Sequence, residues 1–186
     1  METPSTTGPA AFVPLARMWR RADNARAESD TAFFFDLMYL GELVVKLVVL
    51  GIVSFLSEDR ERQRYAVERT LASANGIGEW VTALEEVLTG PVSQLLSPAA
   101  APLRREVMQK WSAREGAWQR TAFEQLERVS RTAGASADAT TARVSLLRWF
   151  QVFAWLRKPH SGPWFPDRTK LLNYGCRPGN FPPAHH

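Results

Sequence analysis

The sequence predicts an all-α fold, a helical bundle of about five to six helices followed by an irregular C-terminal tail. Three observations lead there. Apolar residues recur at three- and four-residue spacing through most of the first 157 positions, as they do on the buried stripe of a helix. No segment shows the apolar-polar alternation of a half-buried strand. Past Arg157, half of the chain's 12 prolines join Gly162, Gly175 and Gly179 and leave little room for regular structure. A chain of 186 residues, 45% hydrophobic and carrying seven Trp, has enough apolar material for a core without covalent staples. Residues 1–10 read as a disordered leader, 11–157 as the bundle and 158–186 as the Pro/Gly-rich tail.

A first helix is predicted from about Ala11 to Ala27, with Pro14 in its first turn and Phe12, Leu15, Met18 and Trp19 on its apolar face. Ser29 and Asp30 then supply N-cap chemistry for a long second helix that ends near Ser57. This helix is apolar nearly all round, so it should be central and surrounded by others. A surface helix follows from about Glu58 to Ala74, closed by Asn75-Gly76 as a left-handed cap. Trp80, Leu84 and Leu88 mark the next helix, and Gly90-Pro91 breaks it. Ser97 to Pro102 reads as a loop. Val107, Trp111, Trp118, Phe123, Leu126 and Val129 then suggest one long helix from about Leu103 to Thr132, with Gly116 its weakest point. After a small-residue linker, Thr141 to Arg157 forms the second strongly apolar helix, expected to lie against the first such helix inside the bundle.

Charge and targeting narrow the setting. The net charge is +4, but the basic residues are dispersed, and no block resembles a nucleic-acid-binding arm. The apolar run from Thr31 to Leu56 is long enough to span a bilayer, yet Asp36, Glu42 and Lys46 interrupt it at a cost that argues against stable membrane insertion. Glu42 and Lys46 stand one turn apart in the favourable acid-first order for an ion pair. The N-terminus lacks the basic start of a secretory signal, and the single cysteine, Cys176, permits no internal disulfide, so a cytoplasmic location is expected.

Most enzyme chemistry lacks its residues. His160, His185 and His186 all lie in the tail, which leaves the bundle without an imidazole for a Ser-His or Cys-His pair or for zinc. Gly76-x-Gly78 lacks the third glycine and the preceding strand of a dinucleotide site. Glu85-Glu86 suits a solvated helix face better than a general acid and base. No cofactor is implied. One cluster remains, Leu156-Arg157-Lys158-Pro159-His160-Ser161-Gly162, at the end of the last apolar helix. An arginine and a histidine there suit metal-free RNA cleavage: the guanidinium neutralises phosphate charge and the imidazole moves a proton. The same residues also fit a basic helix end that complements the macrodipole before a breaker and loop.

The early segment Phe34 to Lys46 and the late segment Arg148 to Arg157, followed by a basic His-Gly stretch, resemble the HEPN superfamily of bacterial helical domains over roughly residues 10–162. The resemblance implies a helical bundle, a homodimer, and a place in defence or stress response. It further implies an RNA substrate and a protein partner of the nucleotidyltransferase or NTPase kind. It assigns Arg157 and His160 as catalytic and Glu42, Lys46 and Lys158 as binding or orienting residues. Here two residues separate Arg157 from His160, where the family's motif has four to six. Lys158 takes the usual polar position, and Pro159 falls inside the motif. The tail's composition suggests a truncated or rewritten family continuation. The competing expectation is a non-catalytic helical domain for dimerisation and partner binding.

Overall fold

The protein is described here from a computed structural model that covers residues 12–58, 60–112, 116–133 and 143–157. The fold is all-α. Among the described residues it has seven α-helices: α1 Val13–Glu28, α2 Asp30–Val53, α3 Gln63–Ser73, α4 Ile77–Thr89, α5 Ala101–Met108, α6 Trp118–Thr132 and α7 Leu146–Arg157. The only described sheet is a two-residue antiparallel pair, β1 Trp111–Ser112 with β2 Arg143–Val144, in which Trp111 faces Val144 and Ser112 faces Arg143. No described helix is long and apolar enough to cross a membrane. The chain divides into two compact units, Met1–Val44 and Val45–His186. Helix α2 belongs to both, its first half closing one and its second half opening the other.

The first unit is a helical hairpin. Pro14 sits in the first turn of α1, where its missing N–H costs nothing. Ser29 serves both helices: its N–H donates to the Ala25 carbonyl at the end of α1, and its Oγ accepts from the Ala32 N–H at the start of α2. The expected apolar face of α1 is inward only in part: Leu15 and Met18 are half-buried on one stripe with the buried Ala22 and Ala25, whereas Phe12 and Trp19 are exposed. The hairpin is pinned by a bidentate ion pair between the Arg21 guanidinium and the buried Asp36 carboxylate, at 2.9 and 3.1 Å. Arg26 lies over the Phe33 ring, 5.8 Å from its centroid. Phe34, Phe35 and Tyr39 stay exposed, which corrects the expectation that α2 is enclosed all round.

The second unit holds the main core. Val45, Val49 and Ile52, at i, i+4 and i+7 along α2, are fully buried. Helix α4 is the centre of this unit, packing against α3, α7 and the 3-10 turn Pro91–Leu95 that follows it. Its stripe of Ile77, Val81, Leu84, Val87 and Leu88 is buried throughout. Helix α7 packs against α4, α6 and α5, and α2 is not among its main neighbours. The two helices read from sequence as the core pair, α2 and α7, are thus not the pair that forms the core seam. The amphipathic α4 has a continuous five-residue stripe, and that stripe fills the place the reading from hydropathy gave to α2.

The long helix expected from Leu103 to Thr132 is two helices. Leu103 to Met108 lies in α5, which starts within the predicted Ser97–Pro102 loop, and the chain then runs through β1 before α6 begins at Trp118. Gly116 between them has φ +60, a left-handed conformation that no helix interior contains. Asn75-Gly76 is likewise not a left-handed cap: Ala74 ends α3 in an extended conformation, and Gly76, also extended, precedes α4. The non-glycine residue with positive φ is Arg62, at the start of α3.

A guanidinium finishes one helix end whose carbonyls have no partner within the helix: Arg104 donates to the Leu88 carbonyl of α4 at 2.8 Å. Arg64 donates to the Leu56 carbonyl, beyond the end of α2, at 3.0 Å. At Gly51 of α2 an added Cβ would make ordinary van der Waals contact with a Leu103 methyl of α5, at 3.9 Å.

Candidate functional site

Arg157 is the last residue of α7, and its place follows from how that helix is anchored. Trp149 stacks on Phe153, one turn further on, with centroids 5.3 Å apart and planes 6° from parallel. The Trp149 indole N–H donates to the Ala122 carbonyl of α6 at 3.3 Å. Leu147, Phe150, Phe153 and Ala154 are buried. The far side of α7 is polar: Gln151 donates to the Glu85 carboxylate of α4 at 3.1 Å and accepts from Arg148 at 3.3 Å. These contacts fix the helix in rotation and bring Arg157 to its C-terminal end, half-buried, where a cation complements the exposed carbonyls and the macrodipole.

Lys158 and His160, the other two site candidates of the cluster that begins at Leu156, lie outside the described residues, as do His185, His186 and Cys176.

The two candidates on α2 fall on either side of the boundary between the units. Glu42 is half-buried in the first unit. Lys46, in the second, directs its ammonium at the Trp80 ring of α4, with Nζ 5.5 Å from the centroid. Both partners are half-buried, so the cation meets a π face in partly desolvated surroundings. The spacing of Glu42 and Lys46 suggested an ion pair along one helix; the cation–π contact between helices has no local sequence pattern.

Glu85 and Glu86 lie on the exposed face of α4, as expected of a solvated helix face, and Glu85 accepts from Gln151.

A second constellation was not singled out by motif. Arg17, Arg20 and Arg21 on α1 share an open cleft with Phe35, Asp36 and Tyr39 on α2, entirely within the first unit. The signal was present in the sequence as arginines at i, i+3 and i+4 facing aromatics at i and i+4. It was masked because Phe35 and Tyr39 read as core.

Comparison of the chain with family models, with curated proteins and with solved structures gives no match.

Proposed function

We propose that this chain is a HEPN-like helical domain of bacterial defence or stress response that acts on RNA as a metal-independent ribonuclease. The observation that carries the reading is Arg157, held half-buried at the C-terminal end of a helix whose other faces are anchored to α4 and α6. A guanidinium fixed in this way is suited to a phosphodiester, because its planar fork meets two phosphate oxygens without reorganising. His160 follows closely in the chain. In the reaction, the RNA 2'-oxygen forms a bond to the adjacent phosphorus and the bond from phosphorus to the 5'-oxygen breaks. The products are a 2',3'-cyclic phosphate and a free 5'-hydroxyl. His160 moves the proton, either off the 2'-hydroxyl or onto the leaving oxygen, and Arg157 neutralises charge on the phosphate. Lys158 adds to the positive charge, and Glu42 and Lys46 take the orienting roles, with a homodimer bringing two such motifs together.

The test is cleavage of tRNA by the purified chain with chelator present. Activity that disappears in His160→Ala and in Arg157→Ala supports the reading, while cleavage that persists in His160→Ala removes the mechanism.

A non-catalytic role in dimerisation or in binding a nucleotidyltransferase or NTPase partner is the second reading, and Trp118 favours it. At 63% exposed at the start of α6, this large aromatic adds little to the core and is suited to an interface. Light scattering that shows a dimer dissociated by Trp118→Ala, with no RNA cleavage, would select this reading.

A further inference from the structure

We propose that the first half of α1 is a docking face for an anionic membrane surface, on which Arg17 and Arg20 meet lipid phosphates while Phe12, Val13 and Trp19 enter the boundary between headgroups and hydrocarbon. It goes beyond the cleavage reading and is independent of it, since none of its residues belongs to the α7 cluster.

Helix geometry divides α1 into two sides. Leu15, Met18, Ala22 and Ala25, at i, i+3, i+7 and i+10, form the inward stripe and are half-buried or buried. On the outward side Phe12, Val13 and Trp19 are 54%, 55% and 62% exposed, and Arg17 and Arg20 stand exposed beside them. Phe12 and Trp19 are seven residues apart and so share a stripe, as do Val13 and Arg20. The third arginine of this stretch, Arg21, is held by the buried Asp36 carboxylate, which ties α1 to α2 and keeps the outward side outward. Arg20 donates to the Ala16 carbonyl of its own helix at 3.4 Å, a long bond that a phosphate oxygen can replace with a shorter, charge-assisted one.

From Phe12 to Ala22 the sequence has three arginines and no acid, and acids return at Asp23 and Glu28. Because Asp36 neutralises Arg21, the charge presented outward comes from Arg17 and Arg20. The first half of the helix is therefore basic and apolar at once, and the second half is neither, so α1 meets a surface by its first two turns. An anionic bilayer surface matches both features within so short a distance. Its phosphates take the guanidinium groups, and the indole and phenyl rings settle at the headgroup boundary, where such rings collect. The long arginine stems reach toward phosphate while the neighbouring rings lie deeper. RNA would also take the arginines, but Val13 has no ring on which a base can stack, and its side chain and that of Phe12 would gain little from a phosphate backbone. A second copy docked by the same face about a two-fold axis would set Arg17 and Arg20 against their own counterparts. The contact is peripheral, with α1 lying on the bilayer rather than across it.

The experiment uses the full chain and sedimentation with vesicles, either of phosphatidylcholine alone or with about 30% phosphatidylserine. Pelleting with the anionic vesicles, weak pelleting with the neutral ones and release at about 0.5 M salt are expected. Arg17→Ala/Arg20→Ala should weaken binding about twentyfold, at about fivefold for each arginine, while Arg17→Lys/Arg20→Lys should retain most of it. Trp19→Ala should weaken it about tenfold through lost apolar contact, and Trp19→Phe should restore most of that loss. Tyr65→Ala, which removes an exposed ring on α3 in the second unit, should change nothing. Circular dichroism checks that each variant is folded. No pelleting with anionic vesicles up to about 1 mM lipid at low salt overturns the proposal, as does pelleting unaffected by both the arginine and the Trp19 alanine variants. Two further results overturn it by naming another occupant: tRNA that binds at these residues and displaces the vesicles, or a dimer seen by light scattering that Trp19→Ala dissociates. Cleavage of tRNA is read separately, so loss of vesicle binding with cleavage intact touches α1 alone.

Discussion

The two units bury their apolar residues in different ways. In the second, Phe153, Ile52, Leu84, Leu88 and Val107 are almost completely enclosed, and α4, α5, α6 and α7 interlock around them. In the first, the fully buried side chains on α1 are two alanines, and the aromatic residues of both helices remain largely at the surface. What holds the hairpin is polar: a cap shared at Ser29, a bidentate ion pair, and a cation over a ring. One unit is therefore stabilised mainly by burial of hydrocarbon, and the other by a few directed contacts between residues whose aromatic neighbours stay exposed.

This contrast breaks first where burial is greatest. Phe153→Ala removes a ring that is 2% exposed and stacked under Trp149, and it should cost about 3–5 kcal/mol, read as a lower urea midpoint. If the loss were under about 1 kcal/mol, α7 would not be part of a packed core. In the first unit the largest expected effect is smaller. Asp36→Ala should cost about 1–2 kcal/mol, because the carboxylate is buried but its partner Arg21 is mostly exposed and can return to water. Amide hydrogen exchange sharpens the same comparison: protection should be greatest in α4 and α7 and least in α1. Equal protection of α1 would show that the hairpin is held by more than its polar contacts.

Gly116→Ala comes next, at about 1 kcal/mol. No atom lies within 4 Å of the added Cβ, so the cost is the left-handed backbone alone.

That glycine also marks the limit of what could be read from sequence. Apolar spacing located α1, α4 and the start of α2 closely, where a cap or breaker such as Ser29 or Gly90-Pro91 marks the end. Helix α2 stops at Val53, short of Ser57, and α7 starts at Leu146, after β2 takes the first residues of the helix expected from Thr141. Between Val107 and Phe123 the helical period continues, yet the chain leaves the helix at Met108 and pairs Trp111 with Val144. A strand pair joining positions 33 residues apart is a tertiary fact, and two residues are too few to show alternation. Hydropathy likewise ranked α2 and α7 as the core pair. Yet composition cannot say which helices become neighbours, and α4, less apolar than α2, took the centre. For the candidate sites, Arg157 was found because it ends a periodic helix next to a proline. The Arg17, Arg20 and Tyr39 constellation was not, because its charges and rings lie on different helices and meet only after the chain turns at Ser29.

The smallest predicted effect tests the first unit most directly. Trp19 is 62% exposed on α1. If the hairpin is held by the Ser29 cap and the Arg21–Asp36 pair, Trp19→Ala should shift stability by no more than about 0.5 kcal/mol. Burial that is mostly absent cannot be lost on truncation. A hydrophobic effect of roughly 25 cal/mol per Å² would give several times that value were the indole enclosed by other helices. Urea unfolding of Trp19→Ala beside Phe153→Ala therefore weighs two aromatic side chains of opposite role in one assay. A loss of more than about 2 kcal/mol at Trp19 would mean that its indole is covered in solution, and the first unit would then have to be counted as part of the core.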